Sequence, residues 1–171
     1  MSLVALIILI IMSMFICWKY GDWRNWKLYY PTITYLIIGD LAYNILTSRM
    51  PLWSYNIKLI NNISTDFLVT AFIYPCTVIM LLTYYPKLIK KQVAYVLFWV
   101  FIYSLVEYIA TISDTFLYSN GWNIGWTILF NCIMFPLLYL HYKRPLWVWP
   151  ISMVLASIVL YIFKIPLIFL E

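Results

Sequence analysis

Six long apolar segments, joined by short polar stretches, make up most of this chain of 171 residues. They are Leu3–Trp18, Pro31–Thr47, Phe67–Tyr85, Val93–Ser113, Ile124–Tyr142 and Pro145–Leu167. Each is close to the roughly 20 helical residues that cross a hydrocarbon core of about 30 Å. Only 10% of the residues are charged, against about 25% in a soluble domain. So few charges would not cover the surface of a globule in water, and the chain is predicted to be an integral membrane protein.

The pattern predicts an all-α fold: a single transmembrane domain over residues 1–171, built as a six-helix bundle. None of the segments shows the strict alternation over about ten residues that a strand of a membrane β-barrel requires. Helices, by contrast, satisfy all their own backbone hydrogen bonds in lipid. The first segment is the shortest, so a five-helix bundle without it is the alternative.

Basic residues indicate how the bundle is oriented. They follow the first, third and fifth segments: Lys19, Arg24, Lys27, Lys87, Lys90, Lys91, Lys143 and Arg144. The alternate loops contain only Arg49 and Lys58. Because cytoplasmic loops carry an excess of Lys and Arg, this bias predicts that both termini lie outside. The net charge of +5 is thereby explained by topology and lipid headgroups, and it gives no indication of nucleic-acid binding.

Polar side chains recur within the apolar segments at helical spacing, so that each of four helices carries one polar stripe. A stripe facing lipid would leave its groups unsatisfied, so we expect all four to point into the bundle. The candidate proton-, cation- or solute-binding side chains are Asp40, Tyr43, Asn44, Tyr74, Tyr103, Glu107 and Asn131. Helix packing alone is the other explanation for these stripes, since polar contacts between helices are worth about 0.6–2 kcal/mol.

Depth along the helices refines this prediction. At about 1.5 Å per residue, Asn44, Glu107 and Asn131 come to similar levels, and Asp40 lies one turn deeper. Three further polar residues lie at the outer rim: Asp66, Asp114 and Asn123. The arithmetic predicts a polar pocket that is open to the outside and has a floor made by Asp40, Asn44, Glu107 and Asn131.

Several kinds of chemistry have no support in the sequence. Cys17, Cys76 and Cys132 lie in apolar segments and form no CxxC motif, so neither a disulfide framework nor a zinc site is indicated. His141 stands beside Lys143 and is interpreted as an interfacial residue. Motifs for metalloproteases, serine hydrolases and phosphate-binding loops are absent from the sequence. We therefore predict no catalytic residues, no metal site and no cofactor, and the sequence leaves enzymatic activity undecided.

Four stretches carry a family resemblance: LIIGDLAYNILT, PLWSYN, NGWNIGWTILFN and IMFPLLYLHYKRPL. They run from the second segment to the start of the sixth. Together they are similar to a family of small multispanning membrane proteins from spore-forming Firmicutes. That family has no assigned activity, so the resemblance implies a multi-pass protein of the bacterial plasma membrane and supplies no mechanism.

Three functions fit these observations. The first is binding or transport of a proton, a cation or a small basic solute by the intramembrane carboxylates. The second is a membrane-embedded interaction protein, sensor or accessory subunit without transport activity. The third, a lipid-modifying enzyme, would use the carboxylates as acid and base, but no metal-ligand cluster or basic site accompanies them. The predicted partners are the lipid bilayer, a proton, cation or small solute, and a partner protein or a second copy of the chain.

Overall fold

The computed structural model describes residues 3–166, and most of them are helical. The helices are α1 (Leu3–Tyr20), α2 (Trp26–Leu46), α3 (Asn62–Leu68), α4 (Tyr74–Thr83), α5 (Ile89–Ile112), α6 (Ile124–Lys143) and α7 (Pro145–Ile162). A 3-10 turn at Trp23–Asn25 precedes α2, and a π-helical turn at Val69–Ile73 joins α3 to α4. Two short strands, β1 (Trp53–Tyr55) and β2 (Phe116–Tyr118), complete the fold.

The helical class predicted from the sequence is confirmed. Within residues 3–166, five helical rods are long and apolar enough to cross a membrane: Leu3–Tyr20, Asn62–Thr83, Ile89–Ile112, Ile124–Lys143 and Pro145–Ile162. The first segment is one of them, with a mean hydropathy of 2.3 over its 18 residues. The remaining predicted segment, Pro31–Thr47, corresponds to α2, which has 21 residues but carries too many polar side chains to join this group. The predicted end of the last segment, Leu167, lies outside the described residues.

The rod from α3 to α4 is widened where a proline interrupts its hydrogen bonds. Pro75 has no N–H to donate to the carbonyl of Ala71, four residues earlier. In the π-helical turn before it, the backbone N–H of Tyr74 donates to the carbonyl of Val69, five residues back. π-helical turns inside α-helices often accompany functional sites, and this one lies next to the polar residues described below.

The helices pack as a series with α2 in the middle. α2 packs against α4 and α6, α1 packs against α4, and both α5 and α7 pack against α6. The main core lies where these helices meet, and Val78, Leu81, Phe135 and Leu138 are fully buried in it. Among the described residues, α1 and α5 stand at the two ends of the series and form no extended interface with each other.

A two-stranded antiparallel ribbon, formed by β1 and β2, covers one end of the bundle. Trp53 pairs with Tyr118, and Tyr55 pairs with Phe116. Tyr43 attaches the ribbon to α2, since its ring stacks on Trp53 with centroids 3.7 Å apart. Its hydroxyl donates to the carbonyl of Trp53 at 3.1 Å and accepts from the same residue's N–H at 2.9 Å.

Replacing Tyr43 by Phe should therefore loosen the ribbon. The Tyr43 hydroxyl also accepts from the N–H of Leu52, which is completely buried. Without it, buried backbone groups lose their partner, which costs about 1–2 kcal/mol. We expect a lower melting temperature in detergent micelles and faster amide exchange at Leu52 and Trp53. Tyr161→Phe is the control, because Tyr161 is 85% exposed; equal losses in both variants would contradict the role given to the Tyr43 hydroxyl.

Candidate functional site: two carboxylate clusters and a cavity

The polar residues expected to form one floor belong to two separate clusters. Asp40 and Asn44 interact with the rod that contains the π-helical turn. Glu107 interacts with β2 and α6 instead. Asn131 is buried and donates from Nδ2 to Ser104 Oγ of α5 at 3.4 Å. The residues of the predicted single floor thus have different hydrogen-bond partners, with one cluster around Asp40 and another around Glu107.

The first cluster centres on Asp40. Its two carboxyl oxygens accept hydrogen bonds from the hydroxyls of Thr70 at 3.0 Å and Tyr74 at 3.1 Å. Asp66 joins the cluster, since Asn44 Nδ2 donates to Asp66 Oδ2 at 2.8 Å. The same amide group also donates to the backbone carbonyl of Asp40 at 3.2 Å, so Asn44 joins the two acidic residues. The cluster thus brings two carboxyl groups together among neutral donors.

The sequence predicts that Asp66 lies at the outer rim. In the structure Asp66 belongs to the Asp40 cluster instead. The helix begins at Asn62, five positions before the predicted start of the segment at Phe67. Asp66 therefore lies one turn inside the helix, on the same face as Thr70 and Tyr74. The spacing of Asp66, Thr70 and Tyr74 is visible in the sequence. It indicates that Asp66 shares a helix face with the other two residues.

The second cluster centres on Glu107. Its Oε1 accepts from the hydroxyl of Tyr118 at 2.8 Å and from Thr127 Oγ1 at 2.5 Å. Thr127 in turn accepts from Trp122 Nε1 at 3.0 Å. Tyr118 lies in the ribbon, outside the helices, and burial followed by its contact with Glu107 raises the pKa of its phenol to about 12. Tyr118 therefore keeps its proton and remains a donor at neutral pH.

A cavity of about 520 Å³ lies between α1, α4, α5 and α6, beneath the ribbon. Four of the candidate residues line it: Tyr74, Tyr103, Glu107 and Asn131. Asp40, Tyr43 and Asn44 do not belong to its lining. The reason is the orientation of α2, which presents Leu36 to the cavity and directs its polar stripe toward the π-helical turn and the ribbon. Tyr74 is the link, because it lines the cavity and donates to Asp40.

The cavity is not freely open at the end that the sequence assigns to the outside. Trp53 and Tyr55 of β1, Phe116 of β2 and Trp122 belong to its lining at that end. These rings also contact one another: Trp53 and Trp122 have centroids 4.9 Å apart, and Tyr55 and Phe116 have centroids 5.3 Å apart. A cover of aromatic side chains thus replaces the expected open mouth. Each strand has only three residues, which is too short for an alternating pattern of polar and apolar residues to be recognised in the sequence.

The remaining predicted positions have structural roles. Asn123 caps α6, since its Oδ1 accepts from the N–H of Gly125 at 2.9 Å. Asp114 is exposed just after the end of α5 and has a positive φ of 53°. Tyr103 shares a hydrogen bond of 2.5 Å with Thr77. His141 is only 3% exposed and stacks on Tyr35 with centroids 4.3 Å apart, so its side chain is buried between helices.

Among residues 3–166, no group of three His, Cys, Asp or Glu side chains is arranged to hold a metal ion. The groups available for chemistry are therefore the two carboxyl groups of Asp40 and Asp66, a further carboxyl group beside the cavity, and the hydroxyl groups that donate to them. Comparison of the chain with protein-family models, with curated proteins and with solved structures found no match.

Proposed function

We propose that this chain is a multi-pass protein of the bacterial plasma membrane that binds a proton or a monovalent cation at the Asp40–Asp66 pair. The six apolar segments support six spans, and the distribution of Lys and Arg supports both termini outside. The bacterial location is supported by the resemblance to the Firmicutes family. Transport coupled to this binding is the activity proposed.

The observation that carries the proposal is the presence of two carboxyl groups in one hydrogen-bonded cluster inside an apolar bundle. Their hydrogen-bond partners, Thr70, Tyr74 and Asn44, are all neutral. Two like charges this close cannot both persist in a low-dielectric interior unless a proton or cation neutralises one of them. A site of this composition attracts cations and excludes anions.

Tyr74 gives the pair a connection to the cavity. Its hydroxyl donates to Asp40 Oδ1, and its ring forms part of the cavity wall. A phenol in this position transfers a proton by accepting one from the cavity side and releasing its own to the carboxylate. The widened backbone at Val69–Ile73 lies directly before Tyr74 and allows its ring to shift.

The test is cation and proton uptake into liposomes that contain the purified protein. With an imposed pH gradient and a trapped pH-sensitive dye, wild type should acidify or alkalise the lumen faster than empty liposomes. Asp40→Asn and Asp66→Asn should each reduce uptake to the level of empty liposomes, because each removes one carboxylate of the pair. Asp114→Asn is the matched control, since Asp114 is exposed and outside both clusters. Uptake that persists in both pair variants would contradict the proposal.

One observation favours the alternative, a membrane-embedded interaction protein, sensor or accessory subunit. Both carboxylate clusters find their hydrogen bonds within the bundle, as purely structural polar contacts do. In that case wild-type liposomes show no uptake, and Asp40→Asn lowers thermal stability by about 0.6–2 kcal/mol, the range for contacts between membrane helices. Loss of uptake without such destabilisation favours transport.

A further inference from the structure

The cavity beside Glu107 opens sideways, toward the hydrocarbon of the bilayer. Four of its lining residues are exposed: Met12 at 54%, Ile16 at 40%, Phe98 at 55% and, on α6, Phe130 at 42%. Met12 and Ile16 belong to α1 and Phe98 to α5, the two helices that form no extended interface with each other. A molecule dissolved in the membrane can therefore enter between these helices without crossing the ribbon.

The cavity has the shape and lining of a site for an alkyl chain. Along α5 its lining runs from Phe98 to Ala110, which is about 18 Å at 1.5 Å per residue. Its volume of about 520 Å³ lies within the range of about 300–1,000 Å³ that is usual for small-molecule sites. Apolar side chains, aliphatic and aromatic, make up most of the walls, and the aliphatic ones include Leu6, Leu9, Ile102 and Val106.

Glu107 determines the chemistry at the ribbon end of the cavity. Both hydrogen bonds that it accepts go to Oε1. Its Oε2 has no partner among the described residues and is not sealed off, so it can accept a bond from a ligand. None of the described residues that line the cavity is Lys or Arg. A phosphate or carboxylate headgroup would therefore meet a like charge without compensation, whereas an ammonium group would gain a charge-assisted hydrogen bond.

We propose that this cavity binds a single-chain amphiphile with a primary amine headgroup, which enters from the bilayer between α1 and α5 and donates to Glu107 Oε2. The site is separate from the Asp40–Asp66 pair, so this proposal does not depend on proton or cation transport. An aminophospholipid offers the same ammonium group, but it places a phosphate beside the unneutralised carboxylate. The free amine is therefore the occupant that the charges favour.

The experiment compares three ligands of equal chain length, tetradecylamine, tetradecanol and tetradecanoic acid, with phosphatidylethanolamine as a fourth. Binding to the full chain in detergent micelles is measured by native mass spectrometry. We expect the amine to bind at least about tenfold more tightly than the alcohol, because a charge-assisted bond is worth about 1.5–3 kcal/mol. We expect the acid and the phospholipid to bind more weakly than the alcohol.

Two variants locate the binding. Glu107→Gln should abolish the preference for the amine over the alcohol while leaving alcohol binding in place. Ile102→Trp, which fills the cavity, should reduce binding of both, and Asp114→Asn should change neither. Equal affinity for amine and acid in wild type, or a preference that persists in Glu107→Gln, would overturn the proposal. If phosphatidylethanolamine binds as tightly as the free amine, the headgroup assignment is wrong.

Discussion

We expect Phe135→Ala to lower the free energy of unfolding of the bundle by about 3 kcal/mol, at the low end of the usual cost of removing a buried Phe. Phe135 is completely buried. Its ring centroid lies 5.1 Å from that of Tyr103 and 5.8 Å from that of Trp99, both on α5. Burial from lipid gives no hydrophobic gain of the kind found in water, so the loss arises from the void and its missing dispersion contacts.

Phe101→Ala is the matched control for this prediction. Phe101 is 64% exposed on α5 and its side chain faces the bilayer in the proposed membrane arrangement. Its truncation leaves no internal void, so stability should change by less than about 0.5 kcal/mol. Unfolding by increasing mole fractions of sodium dodecyl sulfate, followed by circular dichroism, measures both variants. Equal losses at the two positions would show that the core assigned around Phe135 is not the centre of the bundle.

The helices were predictable because apolar length is a local property of the sequence. The boundaries differ mainly where polar residues extend a helix beyond its apolar part. α2 begins at Trp26 rather than Pro31, and α3 begins at Asn62 rather than Phe67. In each case the additional turn contains polar residues, which lower the mean hydropathy of the segment and so exclude that turn from the predicted span. The π-helical turn before Pro75 agrees with the rule that proline removes a hydrogen bond from the preceding turn.

The arrangement of the site was less predictable, because depth along a helix does not determine which neighbour its polar face meets. Asp40 and Glu107 both lie on inward-facing stripes. Asp40 meets the Thr70–Tyr74 face, whereas Glu107 meets Thr127 of α6. The order in which the helices pack determines these partners, and no single segment encodes that order. The three-residue strands are equally difficult to predict from the sequence, since their pairing joins positions more than 60 residues apart.

The ribbon changes the functional interpretation most. A pocket open to the outside would admit hydrated ions directly to Glu107. With Trp53, Tyr55 and Phe116 in the cavity lining, access from that end requires the ribbon to move. Tyr43 holds the ribbon to α2 through its hydroxyl and its ring. The lateral opening between α1 and α5 is thus the path that needs no rearrangement, which is why a membrane-dissolved ligand suits the cavity better than a hydrated one.

The lateral opening depends on the position of α1. Close packing at Gly21, just after the end of α1, holds that end of the helix near α4. A Cβ atom at Gly21 would lie 2.6 Å from the carbonyl oxygen of Cys17 and 3.1 Å from Cγ2 of Ile79 on α4. The first contact is with backbone, so it is relieved only if the end of α1 moves. We expect Gly21→Ala to cost about 2–3 kcal/mol, as overpacking of a close contact does. The shifted α1 should also weaken tetradecylamine binding, because α1 forms one wall of the cavity.

Gly39→Ala is the control that separates a packing clash from the general effect of replacing a glycine by alanine. Gly39 lies within α2, and a Cβ atom there meets nothing within 4 Å. Alanine is favoured over glycine in a helix interior by about 0.5–1 kcal/mol, so this variant should be at least as stable as wild type and should bind the amine normally. The same unfolding titration measures both variants. If Gly21→Ala is as stable as Gly39→Ala, then α1 is not held against α4 by this contact, and the width of the lateral opening must be set elsewhere.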